Sequence, residues 1–186
     1  MFETLISRIA QQLERAGLPY MIIGGQAVLF YGTPRMTKDI DITLGVGTGS
    51  LDLVVQTIKA IGIEIIPEDF GAFVERTYVL PTMEKESGIR IDFIFSLTPY
   101  ERLAIARATP ALLGRTKVMF ASVEDVIIHK VFAGRARDME DVRSIMIKNP
   151  GVDRGYVRKW LKEFEKSPEK GGLLQAFEDI LVGLKA

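Results

Sequence analysis

The chain has 186 residues, with 24 lysines and arginines against 24 aspartates and glutamates, no cysteine and one histidine. Disulfides, thiolate zinc sites, cysteine nucleophiles and multi-histidine metal centres are therefore excluded, and the length suits one sizeable core or a core with a helical extension. The longest apolar run is too short to span a bilayer and the first residues carry no signal-peptide pattern, so a soluble, cytoplasmic protein with no membrane partner is expected.

In chain order, Phe2, Leu5, Ile6, Ile9 and Leu13 share one face of an amphipathic helix that Gly17 and Pro19 end. An apolar strand over 20–23 follows, then the pair Gly24-Gly25, a short helix over 26–31 and a break over 32–34. The next strand carries Asp39 and Asp41. Gly45 to Gly49 is a flexible turn. Ser50 is placed to cap a helix over 51–61, and 63–66 reads as a short strand. Residues 67–76 are ambiguous, compatible with a helical turn. Strands are predicted over 77–80 and 89–95, joined by a polar loop over 81–88. In the second of these, Ile89, Ile91, Phe93 and Phe95 form one face and Arg90, Asp92 and Ile94 the other. A helix over 100–108 and a last strand over 118–120 complete this part. Everything after Ser122 reads helical: 123–132, with Asp125 three residues after a Ser122 cap, then 138–147, then a helix capped by Asp153 that runs through Trp160 and Phe164. A polar loop over 167–172 leads to a final helix with Leu173, Leu174, Phe177, Ile180, Leu181 and Leu184 in a stripe.

The stretch around the two aspartates carries chemistry. Strand alternation puts Asp39 and Asp41 on one face and Ile40 and Ile42 in the core. Carboxylates this close repel unless a cation lies between them. A hard divalent ion with oxygen ligands, Mg2+ bridged to substrate phosphates or Mn2+ in its place, is the natural candidate. Gly24-Gly25 at a strand end and helix start offers backbone N–H groups to an anion, and Arg35 and Lys38 stand where they could meet phosphate oxygens. The bland alternative is an edge strand with two solvated aspartates after a structural turn. Asp92 is either a third carboxylate for the metal or an exposed strand residue.

A second constellation spans residues 127–142, with Lys130, Arg135, Asp138 and Asp141 around a helix–Gly–helix junction. Asp138 suits a helix start, and Asp138 and Asp141 share a face. A capping aspartate among solvated charges is the blander account, and the residues taken alone favour it. Arg135 could pair with either aspartate, and His129 reads as structural.

Gly-Gly, a short helix and Arg-x-Thr-x-Asp-x-Asp together resemble the signature of the DNA polymerase β nucleotidyltransferase superfamily. The arrangement GGQAVLFYG…PRMTKDIDI is most similar to its small stand-alone members, among them the AbiEii-like nucleotidyltransferase toxins. Lys130, Ala-Gly-Arg and Arg-Asp-x-x-Asp look like the later motifs of those proteins. The resemblance implies an α/β (α+β) nucleotidyltransferase fold: a small mixed, twisted sheet backed by helices, with a core over 1–120 and a helical part over 121–186. It implies Mg2+-dependent transfer of a nucleoside monophosphate from a triphosphate to an RNA or protein hydroxyl, and an antitoxin partner in the toxin branch. Asp39, Asp41 and Asp92 would be the catalytic metal ligands. Gly24, Gly25, Arg35, Lys38 and Lys130 would contact the nucleotide, with Asp138 and Asp141 in support. Gly25 stands where many members have serine, so the backbone N–H groups must do more. A non-catalytic nucleotide- or partner-binding protein on the same fold is the alternative. Arg154, Arg158 and Lys162 share a helix face that is either solvated or a guide for RNA phosphates, while Trp160 and Phe164, on another side, read as core.

Overall fold

The computed structural model describes residues 1–167 and 170–184; Pro168 and Glu169, within the predicted 167–172 loop, lie outside them. The chain forms two compact units, Met1–Gln26 with Thr37–Ala121, and Ala27–Met36 with Ser122–Ala186.

The first unit is built on a seven-stranded mixed sheet in the order β3-β4-β5-β2-β1-β7-β6. Its strands are β1 (Tyr20–Ile23), β2 (Asp39–Leu44), β3 (Ile63–Ile65), β4 (Val79–Glu84), β5 (Arg90–Phe95), β6 (Thr109–Leu113) and β7 (Thr116–Phe120). The pairs β2–β5 and β1–β7 are parallel and the other four antiparallel. Helix α1 (Phe2–Arg15) packs on β7, and α3 (Leu51–Lys59), α4 (Phe70–Thr77) and α5 (Pro99–Ala106) pack on β3, β4 and β2 respectively. Alternation explains the core: Ile40, Ile42, Leu44, Ile91, Phe93 and Phe95 are all buried, which pins the register of β2 and β5 because a one-residue slip would turn these side chains outward.

Several elements depart from the sequence expectation. Residues 67–76 resolve into α4, capped by the Asp69 carboxylate accepting from Ala72 N–H, and Tyr78 leaves the helix with φ 58. Strand β4 runs to Glu84 through what reads as a loop from Pro81 onward. The Pro81 carbonyl accepts from Ile66 N–H, one residue past the end of β3, so its missing N–H faces a place where the ladder has already stopped. Strand β6, interrupted in sequence by Pro110, is an edge strand, where a proline is tolerated. Ser50 makes no side-chain cap and is the last residue of a 3-10 turn, Thr48–Ser50.

The second unit holds most of α2 (Gly24–Tyr31), together with α6 (Val123–Ala133), α7 (Ala136–Lys148), α8 (Arg154–Phe164) and α9 (Leu173–Gly183). Its caps follow the sequence: Ser122 Oγ accepts from Asp125 N–H, Gly134 closes α6 with φ 69, and Asp153 accepts from Tyr156 N–H. The segment after α2 is laced to α7. Asn149 and Lys148 donate to the Tyr31 and Gly32 carbonyls, Thr33 N–H donates to Ser144 Oγ, and Arg137 donates to the Met36 carbonyl. Gly32 is needed there, since a Cβ would fall 2.6 Å from Ser144 Oγ. No helix of the described residues is long and apolar enough to cross a membrane.

Candidate active site

In the first unit, the parallel pairing of β2 and β5 sets Asp41 beside Asp92 and Asp39 beside Arg90. Register partners on neighbouring strands point the same way, about 4.8 Å apart, so Asp39, Asp41, Asp92 and Arg90 share one face. Asp39 is exposed and Asp41 and Asp92 are half-buried. Thr37 Oγ1 lies 3.2 Å from Asp39 Oδ1 and 3.3 Å from the Asp39 carbonyl, and the buried Gln26 amide donates to that carbonyl at 3.5 Å. Lys38 is exposed immediately before β2.

The two glycines sit against this face. Gly24 has φ +64, and a Cβ on it would run into the Asp41 carboxylate; a Cβ on Gly25 would run into the Thr37 hydroxyl. Glycine is required because Asp41 and Thr37 press on the backbone at the start of α2, where N–H groups lack intrahelical partners. Those N–H groups form the positive end of the helix.

Arg90 Nε donates to Asp92 Oδ1 at 2.9 Å, with the side chains 56% and 18% exposed. The hydrogen bond and charge of Asp92, with smaller contributions from Asp39 and Asp41, raise the guanidinium pKa above its ordinary value against a slight opposing effect of burial. The donor set fits a hard divalent cation: carboxylate oxygens from adjacent strands on one face. As the side chains stand, no three acidic or imidazole groups among the described residues converge on a single point, and Asp92 is engaged by Arg90.

The second unit gathers the other predicted residues into a buried charge network. Lys130 Nζ lies 2.8 Å from Asp138 Oδ1 and 2.9 Å from Asp141 Oδ2, and its side chain is 7% exposed. Arg35 donates Nε and Nη2 to the two oxygens of Asp141, both at 2.7 Å, and Nη1 to the Met36 carbonyl. Arg135 donates Nε to Asp138 at 2.6 Å, and its backbone N–H is capped by the same carboxylate. Burial pushes both aspartates up, but hydrogen bonds from Arg135 and Lys130 to Asp138, and from Arg35 and Lys130 to Asp141, outweigh it and hold both below the usual range. Two of the three donors of Lys130, which resemblance assigned to a triphosphate, are engaged by aspartates.

Two residues that sequence reasoning left without a role emerge here. Arg90 was signalled by its i, i+2 spacing from Asp92 on one strand face. Thr37 stood within the motif, but its bonds to Asp39 depend on how the chain enters β2. Elsewhere, Arg158 donates Nε and Nη2 to Glu178 at 2.6 and 3.0 Å, which ties up one of the three cations of the α8 face. Trp160 and Phe164 are half-buried rather than core, in an aromatic cluster with Tyr156 and Phe132.

The mixed α/β sheet, with in-register aspartates beside a Gly-Gly strand–helix turn, is the fold of solved nucleotidyltransferase-like structures. The model described as nucleotidyl transferase AbiEii toxin of type IV toxin–antitoxin systems matches residues 14–180, and the chain belongs to that family. No curated protein resembles the chain closely enough to count as a match. Among solved structures, it is similar to an antigenic nucleotidyltransferase-like protein from Paracoccidioides brasiliensis, with 20% identity over 94% of this chain and 92% of that one and a TM-score of 0.60. It is also similar to the antibiotic-resistance factor ANT(2'')-Ia in solution, with 16% identity over 98% and 94% of the two chains and a TM-score of 0.56. At these identities the likeness is one of fold.

Proposed function

We propose that this nucleotidyltransferase carries out its transfer at the carboxylate face of the first unit. An acceptor hydroxyl attacks the α-phosphorus of a nucleoside triphosphate, the new O–P bond forms as the bond to the β-phosphate oxygen breaks, and pyrophosphate leaves. The observation that carries the reading is the register of Asp41 with Asp92, with Asp39 on the same face and Gly24 pressed against it. Asp39, Asp41 and Asp92 would hold Mg2+, or Mn2+ in its place. Bound there, the ions would stabilise the attacking and leaving oxygens.

The protein's own groups do the rest. The N–H groups of Gly24 and Gly25 bind phosphate oxygens, and Lys38 adds a mobile cation beside Asp39. Thr37 fixes the Asp39 carboxylate, and Asp92 accepts the proton of the acceptor hydroxyl. In the second unit, Lys130, Asp138 and Asp141 form a frame that orients Arg35 and the segment after α2. The acceptor is an RNA or protein hydroxyl, and membership of a toxin family supports an antitoxin as partner.

Incubation with each labelled triphosphate, Mg2+ and either total RNA or cell protein tests this. Label transfer to one pool with release of pyrophosphate, lost in Asp39→Asn/Asp41→Asn, is expected. Transfer that persists in the double variant would remove the carboxylate face from the mechanism. Tight triphosphate binding without transfer to either pool would favour a binding protein.

A further inference from the structure

The metal-site reading treats Asp92 as a ligand, yet Asp92 already has a cationic partner. We propose that Arg90 is a resident counter-cation of the carboxylate face, which occupies Asp92 Oδ1 while no metal is present and competes with a metal for that carboxylate.

The neighbours of Arg90 on its own face support this. Across β2 its register partner is Asp39, and two residues along β5 is Asp92, to which Nε donates at 2.9 Å. On the other side, β4 presents Met83 opposite Arg90 and Pro81 opposite Asp92, side chains that offer the guanidinium no anionic partner. The cation is thus directed toward the carboxylates, with an apolar neighbour for its stem. Its exposure of 56% leaves it room to turn away. Without it, three carboxylates on two adjacent strands would repel one another. With a divalent cation among them, the guanidinium becomes a like charge a few ångströms away and its bond to Asp92 competes with ligation. Arg90 therefore lowers the affinity of the nucleotide-free protein for metal and defers Asp92 until phosphate oxygens contribute further negative charge. This rests on the metal-site reading, with Arg90 as a positioning residue acting through Asp92.

The test is Mn2+ binding to nucleotide-free protein, read as free Mn2+ by electron paramagnetic resonance, with melting temperatures in chelator and in saturating Mn2+. Arg90→Gln should bind Mn2+ roughly three- to tenfold more tightly than wild type, as expected when a competing charged hydrogen bond is removed. It should also melt lower in chelator and gain more from Mn2+. Arg90→Lys, which keeps the charge, should stay close to wild type in affinity. In an Asp92→Asn background, Arg90→Gln should bring little further gain. Equal or weaker Mn2+ binding by Arg90→Gln, or the same gain with and without Asp92, would overturn the counter-cation role. Asp39→Asn/Asp41→Asn separates the two readings. If it abolishes Mn2+ binding while Arg90→Gln leaves affinity unchanged, only the Arg90 inference fails; if wild type and Arg90→Gln both bind no Mn2+, both readings fail.

Discussion

The two units hold their acidic residues in opposite ways. On the sheet of the first, Asp39, Asp41 and Asp92 share a partly exposed face with Arg90. In the second, Asp138 and Asp141 are buried and matched by Lys130, Arg35 and Arg135 at 2.6–2.9 Å. Carboxylates grouped on a partly exposed face can take up a cation from solution. Carboxylates satisfied inside a unit are part of its architecture, since a buried charge without partners is costly. Two clusters that look alike in sequence, each a pair of aspartates near basic residues, thus stand in different surroundings.

The largest effect is expected where the network would be broken from within. Lys130→Ala removes the cation shared by two buried carboxylates, leaving each with one arginine, and should destabilise the protein by about 3–5 kcal/mol in urea unfolding. A variant that stays within about 1 kcal/mol of wild type would show that Lys130 is not structural and reopen its assignment to the triphosphate. Asp39→Asn, by contrast, should cost no more than about 0.5 kcal/mol.

Gly24→Ala sharpens the comparison from the other side. A left-handed backbone costs a residue with a Cβ about 1–2 kcal/mol, and the new methyl must displace the Asp41 carboxylate. Transfer should fall far more than stability. Full activity in this variant would mean that Asp41 has another workable position.

Acid should cost stability through the carboxylates that are satisfied. Hydrogen bonds from Ser87 and Arg8 lower the Glu84 pKa to about 2 from an ordinary 4.5, and Asp138 and Asp141 are also lowered. A depressed folded-state pKa gives stability that is complete above the unfolded value and disappears as pH falls through the folded one. Unfolding free energy should therefore decline as pH drops from 4.5 toward 2, and Glu84→Gln should flatten part of that decline. A flat profile over this range would contradict the pairing.

The smallest effect is expected at Arg158, whose pair with Glu178 is 40% and 35% exposed. Arg158→Ala should cost about 0.2–1 kcal/mol. If RNA is the acceptor and this helix guides it, the variant should also weaken the salt dependence of RNA binding by about one phosphate contact.

Much of this was legible because faces are. Period-two alternation assigned Asp39 and Asp41, and Asp92 with Arg90, to their faces before any coordinate, and helical spacing put Asp138 beside Asp141. Partners across long separations were not legible: Asp41 meets Asp92 through the pairing of β2 with β5, and Arg35 reaches Asp141 over 106 positions. Pro81 opened what read as a loop, yet a missing N–H ends a strand only where a neighbour needs it, and sequence does not show the neighbour. The rings of Trp160 and Phe164 read as core from their helix face alone, which does not show how much of each ring a neighbouring element covers.

On the proposed mechanism, the carboxylate face of the first unit binds metal and nucleotide together. The most direct test is calorimetric titration of a nucleoside triphosphate into wild type and Asp39→Asn/Asp41→Asn, each with Mg2+ and with chelator. Binding that requires Mg2+ in wild type and is lost in a folded double variant is the predicted result. Triphosphate affinity that is equal in the two proteins, with Mg2+ making no difference, would contradict it.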